Sequence, residues 1–393
     1  MVADAAASCG GCPVYSDVQG NPTEANVSGG VAAFKAHGCD GVIAFGGGSA
    51  MDAAKCVALM VGQDRPLFDF EDREDWCDRV DPAGMVPCVA VPTTSGTGSE
   101  VGRASVITDE RDHTKKIIFH ANMLPASARV ARPSESVDSF ASRATPRDAR
   151  RVVREPKARL SRGRLSPAVV SLPRDRARPP RFQAIALLDP ELTLGLPKHV
   201  TAWVGIDALS HSMEAFSSPF YHPMAHGMAL EGMRIVKDYL PRLMADGSDL
   251  EARSQLMVAS TLGATAFQKG LGAMHSLTHA AGGLLDTQHG QTISVVMPYV
   301  LQHNRPAIAD SFEALGRYLD LEDASVTGVT DWVLELRETC GIPNTLADIG
   351  VDEAHVATLA PMAVEDPSSG SNPTPVTEQA ATDLYLSAIR GKL

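Results

Sequence analysis

No apolar run in these 393 residues approaches the roughly 18–20 positions that a membrane-spanning helix needs, so a chain threaded through a bilayer is not expected. Nothing at the start resembles an export leader: residues 1–10 hold Asp4 and lack a basic-then-apolar pattern. A disulfide framework is missing as well. The seven cysteines are an odd, scattered set that fits a reducing compartment, and a cytoplasmic location is expected. The one CxxC, Cys9 to Cys12, has no second CxxC and no neighbouring histidine, which argues against a zinc site there. Basic residues are outnumbered, 35 Lys and Arg against 47 Asp and Glu, for a formal net charge of −12. That balance excludes a general nucleic-acid or anionic-membrane surface. No internal repeat of fixed period is visible. What is present is 44% hydrophobic and 21% charged, which is the composition of a globular enzyme rather than of a disordered chain. The length calls for two or three domains.

The charge is not evenly spread. Residues 126–183 carry 15 Lys and Arg against 5 Asp and Glu, and are rich in Arg, Pro, Ser and Ala. No helical or strand period persists there, so a solvated, weakly ordered loop is expected. Only Phe140 and Phe182 interrupt it, too few aromatics for stacking on bases, so a nucleic-acid arm is disfavoured. Its bias is also what GC-rich non-coding sequence yields when read as protein.

Elsewhere the grammar is clear. A short helix is expected over 30–37. The apolar run Gly41 to Phe45 enters Gly46-Gly47-Gly48-Ser49, and good helix formers follow over 50–61. A second buried strand over 86–91 runs into the polar loop Pro92 to Glu100. Strand, glycine turn and helix with a second strand behind is the pattern of an α/β nucleotide-binding domain. After Pro197 helical patterns dominate, over 202–217, 223–245, 251–268, 274–284, 309–319 and 329–340. The expected division is therefore an α/β domain over 1–194 and an all-helical domain over 195–393.

The glycine turn is neither GxGxxG nor GxxxxGK[ST], but its backbone amides and the following helix N-terminus suit a phosphate. A tight turn with no ligand is the plain alternative. Thr93, Thr94 and Thr97 add hydroxyls that suit a pyrophosphate or ribose, and equally well a loop cap. The histidines say more. Asp207 and His211 stand four apart in a helical pattern, as do His275 and His279, and His289 lies ten further on. One carboxylate and three imidazoles hold a divalent cation and leave a position for a substrate oxygen. Spacing does not say which of the imidazoles ligate. His222 and His226 form a further pair in a Pro-flanked segment and are read as structural.

These residues carry a resemblance. The segments NPTEANV (21–27), DGVIAFGGGSAMDAAK (40–55), VPTTSGTGSEV (91–101), DPELTLGLP (189–197), GIDALSHSMEAF (205–216) and KGLGAMHSLTHAAGG…QHG (269–290) are similar to the iron-containing (group III) alcohol dehydrogenases. The resemblance implies a Rossmann-like N-terminal α/β domain and an all-α C-terminal domain, the architecture shared with dehydroquinate synthase, with the site in the cleft between them. It implies Asp207, His211, His275 and His289 as ligands of Fe²⁺, with Zn²⁺ as the alternative ion. His279 matches a histidine beside the metal and the nicotinamide, suited to relaying a proton. Gly47, Gly48, Ser49 and Asp52 match the pyrophosphate loop, and Thr93, Thr94, Thr97 and Lys115 match further contacts to NAD or NADP. The implied activity is hydride transfer between NAD(P) and a small alcohol or aldehyde, by a homo-oligomer with no nucleic-acid or membrane partner.

The chain departs from the family pattern twice. The family carries roughly 60 further residues before a segment like NPTEANV, including an acidic residue that reads the adenosine ribose, so a truncated nucleotide domain short of edge strands is expected. The family also runs almost directly from a segment like 119–125 to one like 185–190, where this chain has the basic stretch. The competing expectations are a catalytically inactive metal- or nucleotide-binding remnant and a relative resembling glycerol dehydrogenase.

Overall fold

The computed structural model describes residues 12–123 and 185–393, together with two strands between them, Ser127–Val130 and Ala168–Pro173. The chain divides into two compact units. The first comprises residues up to 94, 99–111 and 116–195, and the second 95–98, 112–115 and 196–393. Two short segments of the expected N-terminal domain thus belong with the helices.

The first unit is built on a six-stranded sheet. Its strands are β1 (Val14–Tyr15), β2 (Cys39–Gly46), β3 (Cys88–Pro92), β6 (Ser127–Val130), β7 (Ala168–Pro173) and β8 (Ile185–Leu188), in the order β1-β7-β2-β3-β8-β6. From β2 to β6 the pairing is parallel, with Ala44 opposite Ala90, Ala90 opposite Ala186 and Ala128 opposite Ala186. β2 reads CDGVIAFG, a near-continuous apolar run, because both faces of a parallel strand are covered. Antiparallel β7 flanks β2, with Ile43 opposite Val170. The position where an open edge was expected is therefore filled by six residues of the basic stretch. These residues, AVVSLP, form a short, mostly apolar run with two valines inside an otherwise polar composition. β6 also comes from this stretch; its other residues, and Cys9 of the CxxC, lie outside the described residues.

Helix α1 (Glu24–Ala36) starts six residues before its expected position. Thr23 donates its backbone N–H to Asn26 Oδ1 at 2.9 Å, a local closure that precedes any apolar period. Helix α2 (Gly48–Met60) is buried from Ala50 to Leu59 except at Asp52 and is rich in alanine, so it packs closely against the sheet. A hairpin absent from the expectations, β4 (Ala104–Asp109) and β5 (Thr114–Phe119), forms a second sheet.

The second unit is helical. It comprises α3 (Lys198–Ser217), α4 (Pro223–Ala245), α5 (Leu250–Ala266), α6 (Ala273–Leu285), α7 (His289–Tyr318), α8 (Val326–Thr339), α9 (Val356–Glu365) and α10 (Glu378–Arg390). One apolar core runs through it, with Leu209, Met213, Leu256, Val296, Phe312 and Tyr385 nearly inaccessible. α3 and α6 are buried on almost every side, so their polar residues are held in a dry environment. α7 spans 30 residues and contains Pro298 and Pro306, which read as breakers in sequence. Residues 95–98 lie against α3 and α5. Gly98 has φ +58°, and a Cβ there would stand 2.1 Å from that of Ala264, so only glycine fits this approach. Among the described residues no helix is long and apolar enough to cross a membrane.

Candidate metal and nucleotide sites

α3 presents Asp207, His211 and Glu214 along one face, at successive steps of four and three residues. α6 presents His275 in its first turn and His279 one turn later. α7 begins at His289, directly after its cap Gln288, whose side chain accepts from Gln291 N–H. These three helices bring one oxygen or nitrogen each from Asp207, His275 and His289 within 4.8 Å of one another. It is the one such group of acidic, histidine or cysteine side chains found among the described residues. His289 Nε2 lies 3.3 Å from Asp207 Oδ1, and His211 Nε2 lies 3.9 Å from the same oxygen. His211 falls outside the 4.8 Å group but is adjacent to it, its ring stacked on His275 with centroids 4.7 Å apart. His279 also borders the group, with its ring 5.5 Å from His289 and 5.8 Å from His275.

The electrostatics suit a cation. Asp207 Oδ1 and His275 Nε2 are buried and make no hydrogen bond of good geometry. A buried polar atom left in that state costs about 1–3 kcal/mol, and two in one place mark a missing partner. Burial pushes His211 down to about 3 and His289 down to about 4, so both are neutral imidazoles with a lone pair free at neutral pH. Burial alone would raise Asp207, but the neighbouring His211 and His289 hold it well below the usual carboxylate range. Burial alone would lower His275, and the Glu214 carboxylate against its ring reverses the direction. One carboxylate oxygen and several imidazole nitrogens are a donor set for a divalent first-row metal, and the residues present fit that group.

Two carboxylates beside these histidines are absent from the sequence-based set. Glu214 Oε2 lies 2.6 Å from His275 Nδ1, and Asp366, just after α9, places Oδ2 2.9 Å from His279 Nδ1. Glu214 had a signal, since it shares the Asp207 and His211 face. Asp366 had none, because 87 residues separate it from its histidine. The second pair is taken up structurally: His222 Nδ1 caps α4 by accepting from Ala225 N–H, and His226 Nε2 meets Lys269 Nζ at 2.5 Å.

In the first unit, the β2–α2 turn and the end of β3 come together. Thr93 N–H donates to Gly46 O at 2.9 Å, and a Cβ on Gly47 would stand 3.1 Å from Thr94 Cγ2. Gly47 caps α2 and has no side chain to bond the amides of the first turn. Asp52 does something else. It accepts from Ser99 Oγ at 2.5 Å and from Val106 N–H at 2.9 Å, so its carboxylate is engaged in holding the chain after the threonine loop. Thr97 and Lys115 lie in the second unit, where Lys115 stands beside Gly282 of α6 and its charge helps lower His289.

Comparison with known proteins agrees with this architecture. A sequence profile described as "Iron-containing alcohol dehydrogenase" matches residues 2–131, and one described as "Fe-containing alcohol dehydrogenase family, C-terminal" matches 201–389. The chain is 31% identical over 379 residues to the probable alcohol dehydrogenase EutG of Escherichia coli, covering 96% of this chain and 78% of that protein. It is 33% identical to 4-hydroxybutyrate dehydrogenase of Cupriavidus necator, covering 92% and 80%. A crystal structure of 1,3-propanediol oxidoreductase superposes with a TM-score of 0.76 at 27% identity, covering 95% and 83%. Fold, donor set and relatives define a metal-dependent, nicotinamide-linked dehydrogenase. The chain belongs to the iron-containing alcohol dehydrogenase family. It is an oxidoreductase that exchanges hydride between NAD(P) and an alcohol or aldehyde.

Proposed function

We propose that the cation is Fe²⁺, held by Asp207, His211, His275 and His289, and that the substrates are short primary alcohols and their aldehydes. The observation that carries this reading is the pair of buried, unpartnered atoms Asp207 Oδ1 and His275 Nε2 beside His289. When bound, the cation supplies Lewis acidity toward a substrate oxygen, and the nicotinamide carries the hydride. The chain supplies position and field. Asp207 brings the one negative charge and the neutral histidines bring lone pairs, so the donor set leaves net positive charge to polarise an oxygen. His279 keeps Nδ1 on Asp366, which leaves Nε2 to hold or pass on the proton that an alcohol loses. Phe267, with its ring 5.0 Å from His211, adds an apolar surface beside the site that excludes water. The amides of Gly48 and Ser49 at the start of α2 receive the pyrophosphate of NAD or NADP, with Thr93, Thr94 and Thr97 as further contacts. The substrate class is supported by the relatives, whose names specify 4-hydroxybutyrate and 1,3-propanediol. A cytoplasmic, homo-oligomeric enzyme is part of the same reading, and the scattered cysteines support the compartment.

The test is purified protein stripped of metal, reloaded with Fe²⁺ or Zn²⁺ without oxygen, and offered NADH or NADPH with propanal, 3-hydroxypropanal and 4-oxobutanoate. The expected result is cofactor oxidation that requires the metal and is fastest with Fe²⁺. Metal uptake without turnover on any of these substrates would mark a non-catalytic member of the family, and no uptake would remove the site. The nucleotide part has its own check. Gly47→Ala places a methyl 3.1 Å from Thr94, tighter than ordinary contact, so the two loops must shift slightly. The KM for the dinucleotide is expected to rise about 3–10-fold, roughly 1 kcal/mol, with metal content unchanged. An unchanged KM would remove this turn from the dinucleotide contacts.

A further inference from the structure

The first turn of α6 is tied down by side chains remote in sequence. Ala273 N–H donates to Asn372 Oδ1 at 3.1 Å, and Met274 N–H donates to Glu214 Oε1 at 2.6 Å. The other oxygen of that carboxylate, Oε2, lies 2.6 Å from His275 Nδ1. Glu214 and His275 are only 3% and 2% exposed, so water does not compete for either contact. On the far side of the same ring, Nε2 is buried with no hydrogen-bond partner.

We infer that Glu214 is a positioning residue for metal capture: by accepting from the Nδ1–H of His275, it fixes the tautomer and ring plane that aim the Nε2 lone pair into the Asp207–His289 group. The inference rests on the metal reading above. A neutral imidazole carries one proton, and the nitrogen that keeps it cannot ligate. With no acceptor at Nδ1, the proton is free to sit on Nε2, where it would occupy the space the cation needs. The Met274 amide and the His275 Nδ1–H are two donors facing one side chain, and a carboxylate meets both because each of its oxygens is an acceptor. Glu214 also stands three residues after His211 and seven after Asp207 on α3. One buried helix thus carries candidate ligands and sets the orientation of a ligand on another helix, which locks the register of α3 against α6. Such outer partners of ligating histidines change metal affinity by about 10–100-fold when removed.

Glutamine is the discriminating substitution. Glu214→Gln keeps shape and packing but turns one acceptor into an amide donor. If that NH₂ faces His275, Nδ1 must accept and Nε2 must carry the proton. If it faces Met274, a buried donor opposes a donor. The measurement uses the full chain as wild type, Glu214→Gln and Glu214→Asp. It reads Co²⁺ affinity and chelator-driven release, the visible absorption of bound Co²⁺, and the thermal midpoint of metal-stripped protein. The expected result is about 10–100-fold weaker Co²⁺ binding in Glu214→Gln with an altered Co²⁺ spectrum, while the stripped protein stays folded. Glu214→Asp, one methylene shorter, should also fail to restore affinity. Wild-type affinity and spectrum in Glu214→Gln would overturn the inference, as would a lowered midpoint with unchanged affinity in the folded fraction, which would make Glu214 only a helix cap. Wild-type protein that takes up no Co²⁺ would overturn the metal reading and this inference with it, so the two failures are distinguishable.

Discussion

His275→Ala is expected to empty the metal site and lower kcat/KM by about 10³-fold or more. Lewis-acid stabilisation of a developing charge is worth several kcal/mol, and each 1.36 kcal/mol is a factor of ten in rate. The change removes Nε2, a buried atom without a hydrogen bond, and so takes a central member out of the Asp207–His275–His289 group. It also strips Glu214 Oε2 of its donor and leaves a buried carboxylate oxygen alone. The mutant should carry little metal after dialysis, and its residual rate should equal that of stripped wild type. Adding Fe²⁺ should restore the wild type but not the variant. Metal analysis and steady-state kinetics on the same preparations provide the check. Full turnover by a variant that holds no metal would end the reading of these residues as a metal centre.

The parts legible in sequence were those written in local periodicity. The Gly41 to Phe45 run, the glycine turn and the helix after it are contiguous, and a parallel strand covered on both faces has no polar alternation to confuse it. The i, i+4 pairs on α3 and α6 showed at once that Asp207 with His211, and His275 with His279, leave the same faces. Periodicity could not rank His279 against His289. His279 sits mid-helix and is claimed by Asp366, whereas His289 is the first residue of α7 and lies 3.3 Å from Asp207 Oδ1. That difference depends on how α6, α7 and the segment after α9 pack, which no window of sequence contains. The two prolines hid most of α7. Pro298 is buried among core residues, and the rest of a helix of 30 residues compensates for the amides they lack. Asp52 has ties that periodicity could not reveal. Its place in a glycine-turn motif points outward to a ligand, while the structure gives its carboxylate three neighbours from the chain itself, Ser99, Val106 and Lys55. The basic stretch concealed β6 and β7 because runs of four and six residues do not alter the average of fifty-eight.

Lys55→Met is expected to be the most damaging single change to the first unit, at about 3–5 kcal/mol, with the thermal midpoint of unfolding lowered by roughly 10 °C. Lys55 is on α2, 4% exposed, and its Nζ donates to Ser99 O at 3.0 Å, to Gly102 O at 3.3 Å and to Ala104 O, with Asp52 Oδ1 at 3.6 Å. One ammonium therefore satisfies three backbone carbonyls on the segment that links the threonine loop to β4, and balances the carboxylate that holds Ser99 and Val106. Methionine fills nearly the same volume but donates nothing, so the Gly102 and Ala104 carbonyls lose this donor, Ser99 O keeps only the Gly102 N–H, and the Asp52 carboxylate loses its neighbouring cation. Asp52→Asn should cost less, because an amide still accepts from one of its two donors. The double variant should cost less than the sum of the singles, since removing both charges relieves the unpaired one, and a double-mutant cycle reads that coupling directly. Thermal unfolding of metal-stripped protein isolates the effect from the metal site. A loss below 1 kcal/mol in Lys55→Met would mean that water reaches this segment and that α2 does not anchor it. The same variant should raise the KM for the dinucleotide, because the segment it releases continues from Thr93 and Thr94 at the end of β3.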